Sequence, residues 1–434
     1  MSITTIGLLG IVILLFMLLF LGMPVGFTMA VVGFGGVCYI ISFNASLGMV
    51  GSELWNTFSS YGLTMVPLFI FMGQICFYSG LNERLFKATH TVTGHVRGGL
   101  AMATIFACAG FAAICGSNTA TAATMTSVAL PEMRKYRYNQ ALAVGSIACG
   151  STLGVVIPPS VVLILIGIYT GQSITKLFYG GILAGLFLAA SFMVTIAVLC
   201  WLHHDWSPLG QKKTLGEKIR ALPGFFEALF LFALVMGGLY AGVFTPTEAG
   251  AVGTFLAIVI SLLRRKLTWR AFIAAVVDTL QVSCMVFVLI AGAVMFSRFL
   301  ALTRIPFDIA DWAAALPFSP TVILSVIFII YIIGGALVDA LALLVITIPI
   351  FFPVAMQLGY DPIWFGVMIT VITTLGAVTP PVGASTYVVA GIAKDMGLGR
   401  VFKGVLYFLP AYIFSIILFM AVPQIITYLP SLIR

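Results

Sequence analysis

The sequence predicts an all-α, polytopic membrane protein. It predicts two inverted-topology repeats, each with a re-entrant hairpin and a broken transmembrane helix. Three observations carry this. Of 434 residues, 61% are hydrophobic and 8% charged, against about 45–50% and about 25% in soluble domains. The segments Gly150–Pro159 (GSTLGVVIPP) and Ile372–Pro381 (ITTLGAVTPP) share a pattern at an offset of 222 (380 − 158), and the same offset aligns Tyr138-Asn139 with Tyr360-Asp361, Pro131 with Pro353 and Pro24 with Pro246. The cations sit in short loops between apolar spans, which is topology information.

A span needs about 20 apolar residues, fewer if broken or re-entrant. Stretches near 4–22, 25–43, 62–80, 140–170, 177–202, 222–243, 248–263, 271–300, 362–393 and 404–429 qualify, and 98–131 and 319–356 are left over. The first 22 residues hold no Lys or Arg; without the basic n-region of a signal peptide they read as a first transmembrane helix. Basic residues cluster at Arg84-Lys87-Arg97, Arg134-Lys135-Arg137, Lys212-Lys213-Lys218-Arg220, Arg264-Arg265-Lys266-Arg270 and Lys394-Arg400-Lys403. The positive-inside rule assigns these loops to the cytoplasm. Loop 44–61, with only Glu53, and loop 244–248, with only Glu248, then face out.

Stretch 98–131 has basic loops on both sides, so it enters and leaves from the cytoplasm as a hairpin with Gly116-Ser117-Asn118-Thr119 at its tip. Its counterpart 319–356 carries Gly334-Gly335 and Asp339 near its tip, and counting spans forward places its ends outside. The expected organisation is a first repeat over 1–202, a cytoplasmic linker over 203–221, and a second repeat of opposite orientation over 222–434. Segments 81–97 and 303–317 precede the hairpins and mix polar with apolar residues, as interfacial helices do.

Several function classes are excluded. The net charge of +8 belongs to the loops and does not suggest nucleic acid. The seven cysteines fall in apolar stretches without metal-ligand spacing, and His90, His95, His203 and His204 form no ligand set. No Walker A, nucleophile elbow or metalloprotease motif is present. An enzyme is not expected, nor ATP-driven transport by this chain alone. A channel would need a continuous pore with ringed selectivity residues, which an inverted repeat with two hairpins does not suggest.

Irregular backbone at membrane depth survives only where it is buried in protein or lines a polar cavity. A Pro-Pro pair removes two N–H donors and frees carbonyls upstream. Paired, interrupted spans in matching halves are the best sequence pointer to a transporter's binding site, where freed carbonyls coordinate Na+ and half-helix N-termini attract anions. A single kink of this kind is common packing; two copies at one offset, each after a hairpin, favour a site. The candidate sodium ligands are Ser117, Gly154, Ile157 and Pro159 in the first half, and Gly335, Asp339, Gly376, Thr379 and Pro381 in the second. The candidate substrate residues are Ser117, Asn118, Thr119, Ser385 and Thr386, which would bind a small anion between the two tips. Neither broken span holds an Arg or Lys, so bound Na+ is expected to supply positive charge and to couple to the anion. Among isolated charges, Asp339 in its apolar run reads as functional. Glu248 reads equally as a helix N-terminal residue, Asp278 and Glu227 as capping or pairing groups, and Arg298 and Arg304 as snorkelling cations.

At these residues the sequence resembles the large membrane subunit of the tripartite ATP-independent periplasmic (TRAP) transporters, the C4-dicarboxylate-type M subunit. The matching stretches are CGSNTATAATMTSVALPEMRKYRYNQALAVGSIACGSTLGVVIPPS, TPTEAGAVG, RRKLTWR, VDALALLVITIPIFFPVAMQLGYDPIWFG and VTPPVG, and the similarity runs over essentially the whole chain. The resemblance implies an elevator-type, sodium-coupled importer of small organic acids in a bacterial inner membrane. It implies two partners besides the lipid bilayer, a small four-helix membrane subunit and a periplasmic substrate-binding protein. It places sodium sites at the two hairpin–break junctions. This chain has Ser385 where many relatives have Asn, and Cys115-Gly-Ser-Asn where relatives often have Ser-Gly-Ser. A standalone sodium/dicarboxylate symporter of similar design is the alternative.

Overall fold

The computed structural model describes residues 2–208 and 213–433. Every regular element among them is a helix. The first half comprises α1 (Ile3–Phe20), α2 (Val25–Ile40), α3 (Phe43–Phe58), α4 (Met65–Tyr78), α5 (Leu81–Thr93), α6 (Gly99–Cys115), α7 (Asn118–Lys135), α8 (Gln140–Ser151), α9 (Leu153–Val156), α10 (Val161–Thr170) and α11 (Ile174–Leu202). The second comprises α12 (Leu215–Tyr240), α13 (Pro246–Leu263), α14 (Trp269–Thr303), α15 (Ile305–Ala315), α16 (Pro320–Leu337), α17 (Ala340–Gln357), α18 (Pro362–Gly376), α19 (Ala384–Ile392), α20 (Leu398–Leu406), α21 (Leu409–Ala421) and α22 (Gln424–Ser431). By length and composition nine helical segments among the described residues could cross a membrane, or ten if α20 and α21 count as one bent span.

The sequence offset of 222 recurs in the helix boundaries. Helices α6 and α16 end at Cys115 and Leu337, α7 and α17 start at Asn118 and Ala340, α8 and α18 start at Gln140 and Pro362, and α10 and α19 end at Thr170 and Ile392. The caps follow suit. Ser117 Oγ accepts from Ala120 N–H and Asp339 Oδ2 from Leu341 N–H. Asn139 Oδ1 accepts from Ala141 and Leu142 N–H, and Asp361 Oδ1 from Trp364 N–H. A side-chain cap satisfies N–H groups that a helix start leaves open, so these four residues fix where two hairpin arms and two broken helices begin.

Stretches 98–131 and 319–356 each fold as two packed helices joined by a tight turn, at Gly116-Ser117 and Val338-Asp339. Arms α16 and α17, at 18 residues each, are themselves long enough to count as spans. Segments 81–97 and 303–317 hold the short helices α5 and α15.

Three expectations are corrected. Residues 44–61 are not an open loop: Ser42 caps α3, which fills most of the segment. Its polar Ser46, Glu53 and Thr57 are buried while Leu47, Trp55 and Phe58 are exposed. The polar face turns inward and the apolar face outward, as suits a lipid environment, and a solvent-based reading of such a pattern suggests loop. The stretch 404–429 is not one helix. It breaks at α20, α21 and α22, with a 44° bend between the first two, because Pro410 and Pro423 cannot continue a preceding helix. The linker over 203–221 is shortened, since a Thr214–Glu217 capping box starts α12 at Leu215. Lys212 lies outside the described residues.

In the long span 140–170 every residue from Ala141 to Gly167 is buried, so protein rather than lipid surrounds it, while most of α1 is not buried and it lies at the periphery. The isolated charges are mostly paired. Asp278 accepts from Tyr78 OH at 2.6 Å, Arg298 bonds Glu53 at 2.8 Å instead of snorkelling free, and Glu248 closes a capping box with Thr245. Glu227, with its side chain 10% exposed, takes Arg84 from α5 at 3.1 Å and also Arg264 at the end of α13. Removing the acid of a buried pair strands its cations. Half of Arg264 remains in water, so Glu227→Ala is expected to cost about 1–3 kcal/mol, read as a lower unfolding temperature in detergent.

Candidate transport site

The site is built where hairpin turns meet broken helices. In the first half α9 ends at Val156, Ile157 turns extended (φ −78°, ψ 124°), and Ser160 caps α10. The bond Pro158–Pro159 between them is cis. All residues from Ser151 to Ser160 are buried. The hairpin turn presses directly on this break. A Cβ on Gly154 would lie 2.6 Å from the Ser117 carbonyl oxygen, and one on Gly116, whose φ is +64°, would lie 2.6 Å from the Pro159 carbonyl oxygen. Only glycine permits these backbone contacts.

The carbonyls left behind decide what this junction can hold. Residues 158 and 159 have no N–H, and no hydrogen bond reaches the carbonyls of Gly154, Ile157 or Pro159 among the described residues. A buried carbonyl without a donor is costly. Several undonated carbonyls at one junction are oxygen donors of the kind a hard cation takes. The group fits sodium by donor chemistry.

The second junction repeats the plan with differences. Pro380–Pro381 is again cis. A Cβ on Gly376 would lie 2.7 Å from Gly335 backbone atoms, and one on Gly335 would lie 3.0 Å from the Thr373 carbonyl oxygen. The Ala336 carbonyl accepts from Val382 and Gly383 N–H, tying hairpin to break. The Thr379 and Pro381 carbonyls receive no hydrogen bond among the described residues, whereas the Gly376 carbonyl accepts from Thr379 N–H at 3.0 Å and Thr379 Oγ1 at 3.1 Å. Pro380, Pro381 and Val382 are exposed where their first-half equivalents are buried, so the second junction is open and the first enclosed. Asp339 is exposed and its carboxylate caps α17; from the hairpin, Gly335 and Ala336 touch the break.

Of the candidate substrate residues, Ser117 and Thr119 share a hydroxyl contact at 3.2 Å. Asn118 is 5% exposed; its Oδ1 accepts from Thr119 N–H, and its Nδ2 has no partner. Ser385 is fully buried and its Oγ has no partner, while Thr386 donates to the Val378 carbonyl at 3.0 Å. Helices α7 and α19 pack together, so the two unpartnered groups stand on adjoining elements.

One residue was missed. The Tyr412 hydroxyl, fully buried on α21, bonds Thr152 at 2.5 Å and has the Thr374 hydroxyl beside it. Thr152 and Thr374 are equivalent by the offset of 222 (374 − 152), so Tyr412 bridges the two breaks. The threonines were visible in the repeated STLG and TTLG strings; the tyrosine has no repeat partner that would mark it.

The chain matches the family described as "Tripartite ATP-independent periplasmic transporter, DctM component" over residues 12–425. It is 33% identical to the C4-dicarboxylate TRAP transporter large permease protein DctM of Pseudomonas aeruginosa, over 92% of this chain and 93% of that one. It is 30% identical to the sialic acid TRAP transporter large permease protein SiaM of Vibrio cholerae, over 96% of each chain. Among solved structures, the YdaH transporter of Alcanivorax borkumensis superposes with a TM-score of 0.58 at 17% identity, covering 88% of this chain and 89% of that one. At that identity it speaks for the fold alone. With its apolar helices and matching length, this chain is a multi-pass membrane permease, not an enzyme, and it belongs to the DctM-component family of the tripartite ATP-independent periplasmic transporters.

Proposed function

We propose that this chain is the membrane-translocating subunit of a sodium-coupled importer of small organic anions, carboxylates above all. It receives its substrate from a periplasmic binding protein and works beside a small four-helix membrane subunit in the bacterial inner membrane. The observation that carries this reading is the set of undonated carbonyls at Gly154, Ile157 and Pro159, repeated in part at Thr379 and Pro381. Sodium at these oxygens removes their desolvation cost and places positive charge beside Asn118 and Ser385, where neither broken span holds an Arg or Lys. The anion then binds where sodium and half-helix N-termini act together. Similar permeases carry the names of C4-dicarboxylate, sialic acid, 2,3-diketo-L-gulonate and isethionate; all are small organic anions, and the first three are carboxylates.

In this reading hairpin, break and Tyr412 bridge move as one elevator unit against α1–α3 and α12–α14. The halves run in opposite directions, with hairpin 98–131 opening to the cytoplasm and 319–356 to the periplasm. Sodium and substrate binding are mutually dependent, so the unit crosses loaded with both.

The test is uptake into proteoliposomes holding the chain and its small subunit, with binding protein and a panel of carboxylates outside. Uptake is expected to require external sodium with a Hill coefficient above one. Asp339→Ala is expected to weaken sodium dependence at the second junction. Full transport in potassium buffer with a proton gradient would overturn the sodium reading, and full transport without binding protein would point to a standalone symporter.

A further inference from the structure

A second cavity, away from the junctions, has its own chemistry. It measures about 490 Å³ and lies where the segment after α11 meets the start of α8 and the helix α20. Its walls include Gln140, Trp206, Arg400, Lys403 and Tyr407. Among the described residues, Arg400 and Lys403 are its only charged lining residues. Lys403 makes no ion pair among the described residues, and Arg400 donates to Gln140 Oε1 with one of its five N–H groups. The neighbouring acid Asp395 is already engaged: the Arg134 guanidinium bonds it at 2.5 Å and holds its carboxyl below the usual carboxylate range. Asp205 adjoins Trp206 in sequence and does not line the cavity. The start of α8 adds the positive end of a helix dipole.

The rim is of the opposite kind. Trp201 and Leu202 at the end of α11 and Leu406 on α20 are 71%, 58% and 53% exposed, an apolar surface beside the cationic hollow. Trp206 stacks on His203 at 4.3 Å and meets Tyr407 at 5.1 Å. Aromatic residues with polar tips at the edge of an apolar surface mark headgroup depth. Basic pockets between membrane helices suit anionic headgroups.

From this juxtaposition we propose that the cavity binds a phosphoryl anion, that of an anionic phospholipid of the phosphatidylglycerol type. The phosphate sits between Arg400 and Lys403, and the acyl chains lie over Trp201, Leu202 and Leu406. The apolar rim is what favours a lipid over free phosphate, which has no use for it. The Asn139 N–H donates to the Trp206 carbonyl at 2.9 Å, so a bound lipid clamps three pieces together: the end of the first half, the start of its broken helix, and α20 of the second half. The proposal is independent of the sodium reading.

The experiment uses the full chain in neutral detergent micelles. Thermal unfolding is followed after adding phosphatidylglycerol, phosphatidylcholine or inorganic phosphate, and retained lipid is counted by native mass spectrometry. Phosphatidylglycerol is expected to raise the unfolding temperature by several degrees and to leave one retained lipid; phosphatidylcholine is expected to do neither. The double variant Arg400→Gln/Lys403→Gln is expected to lose most of the shift and about tenfold in retention. Lys403→Arg should keep both, which guards against a folding defect in the Gln variant. A shift of equal size with inorganic phosphate, lost in the double variant, would keep the phosphoryl site and overturn the lipid as its source. No shift with either, or a shift unchanged in the double variant, would overturn the site.

Discussion

Gly154→Val and Gly376→Val are each expected to cut uptake by at least tenfold, with the unfolding temperature falling much less than the loss of transport suggests. At Gly154 the added Cβ would sit 2.6 Å from the Ser117 carbonyl oxygen and 2.8 Å from its carbon; at Gly376 it would sit 2.7 Å from Gly335 backbone atoms. These neighbours are backbone, which cannot swing aside as a side chain can. The hairpin must move off the break. Overpacking of this kind costs about 1–3 kcal/mol, which a protein of this size survives. Transport is more sensitive, because the same shift separates the carbonyls proposed to hold one ion, and tenfold in an equilibrium corresponds to about 1.4 kcal/mol. The alanine variants should show the same effect in smaller measure. Gly391→Ala, on α19 with nothing within 4 Å of the new Cβ, is the control and should transport normally. The measurement is initial uptake against sodium concentration, beside a melting curve for each variant. Normal uptake in both valine variants would show that hairpin and break need not touch.

Much of this arrangement was legible in the sequence because it rests on residues that are rare in a spanning helix. Pro158-Pro159 and Pro380-Pro381 cannot be anything but interruptions, and the offset between them carried over to the hairpin arms almost residue for residue. The hairpin turns were legible for a related reason: Ser117 and Asp339 are good caps in otherwise apolar runs. Other features depended on tertiary partners that no local pattern encodes. Helix α3 looked like a loop because Glu53 and Ser46 satisfy themselves against Arg298 and the Phe34 carbonyl, residues far along the chain or across a turn. Tyr412 looked like one more aromatic in a C-terminal span, and only packing brings its hydroxyl to Thr152. Asp339 stands out in its apolar run, but only packing shows that its Oδ2 also caps α17 and that Gly335 and Ala336 make the hairpin's contacts with the break.

The second large effect concerns the two buried groups left without partners, and here stability and transport should move in different directions. Ser385 Oγ is fully buried and makes no hydrogen bond. An unsatisfied buried hydroxyl costs the folded state roughly 1–3 kcal/mol, so Ser385→Ala, which removes it without breaking a bond, is expected to leave the unfolding temperature unchanged or raise it. If the hydroxyl is kept for the substrate, the same variant should weaken substrate affinity about fivefold to a hundredfold, the range that losing such a bond implies. Asn118→Ala should weaken affinity similarly through its free Nδ2, with a modest loss of stability because Oδ1 also accepts from Thr119 N–H. Asn118→Asp should be worse than alanine, since it sets a carboxylate against an anion beside broken spans that hold no Arg or Lys. In each variant the affinity lost should be larger at saturating sodium than without it, because the ion and the donors act on one ligand. The measurement is substrate affinity with and without sodium, set beside the melting temperature. A Ser385→Ala protein with unchanged affinity would place the substrate elsewhere, and one that melts early would mean that the hydroxyl serves the fold.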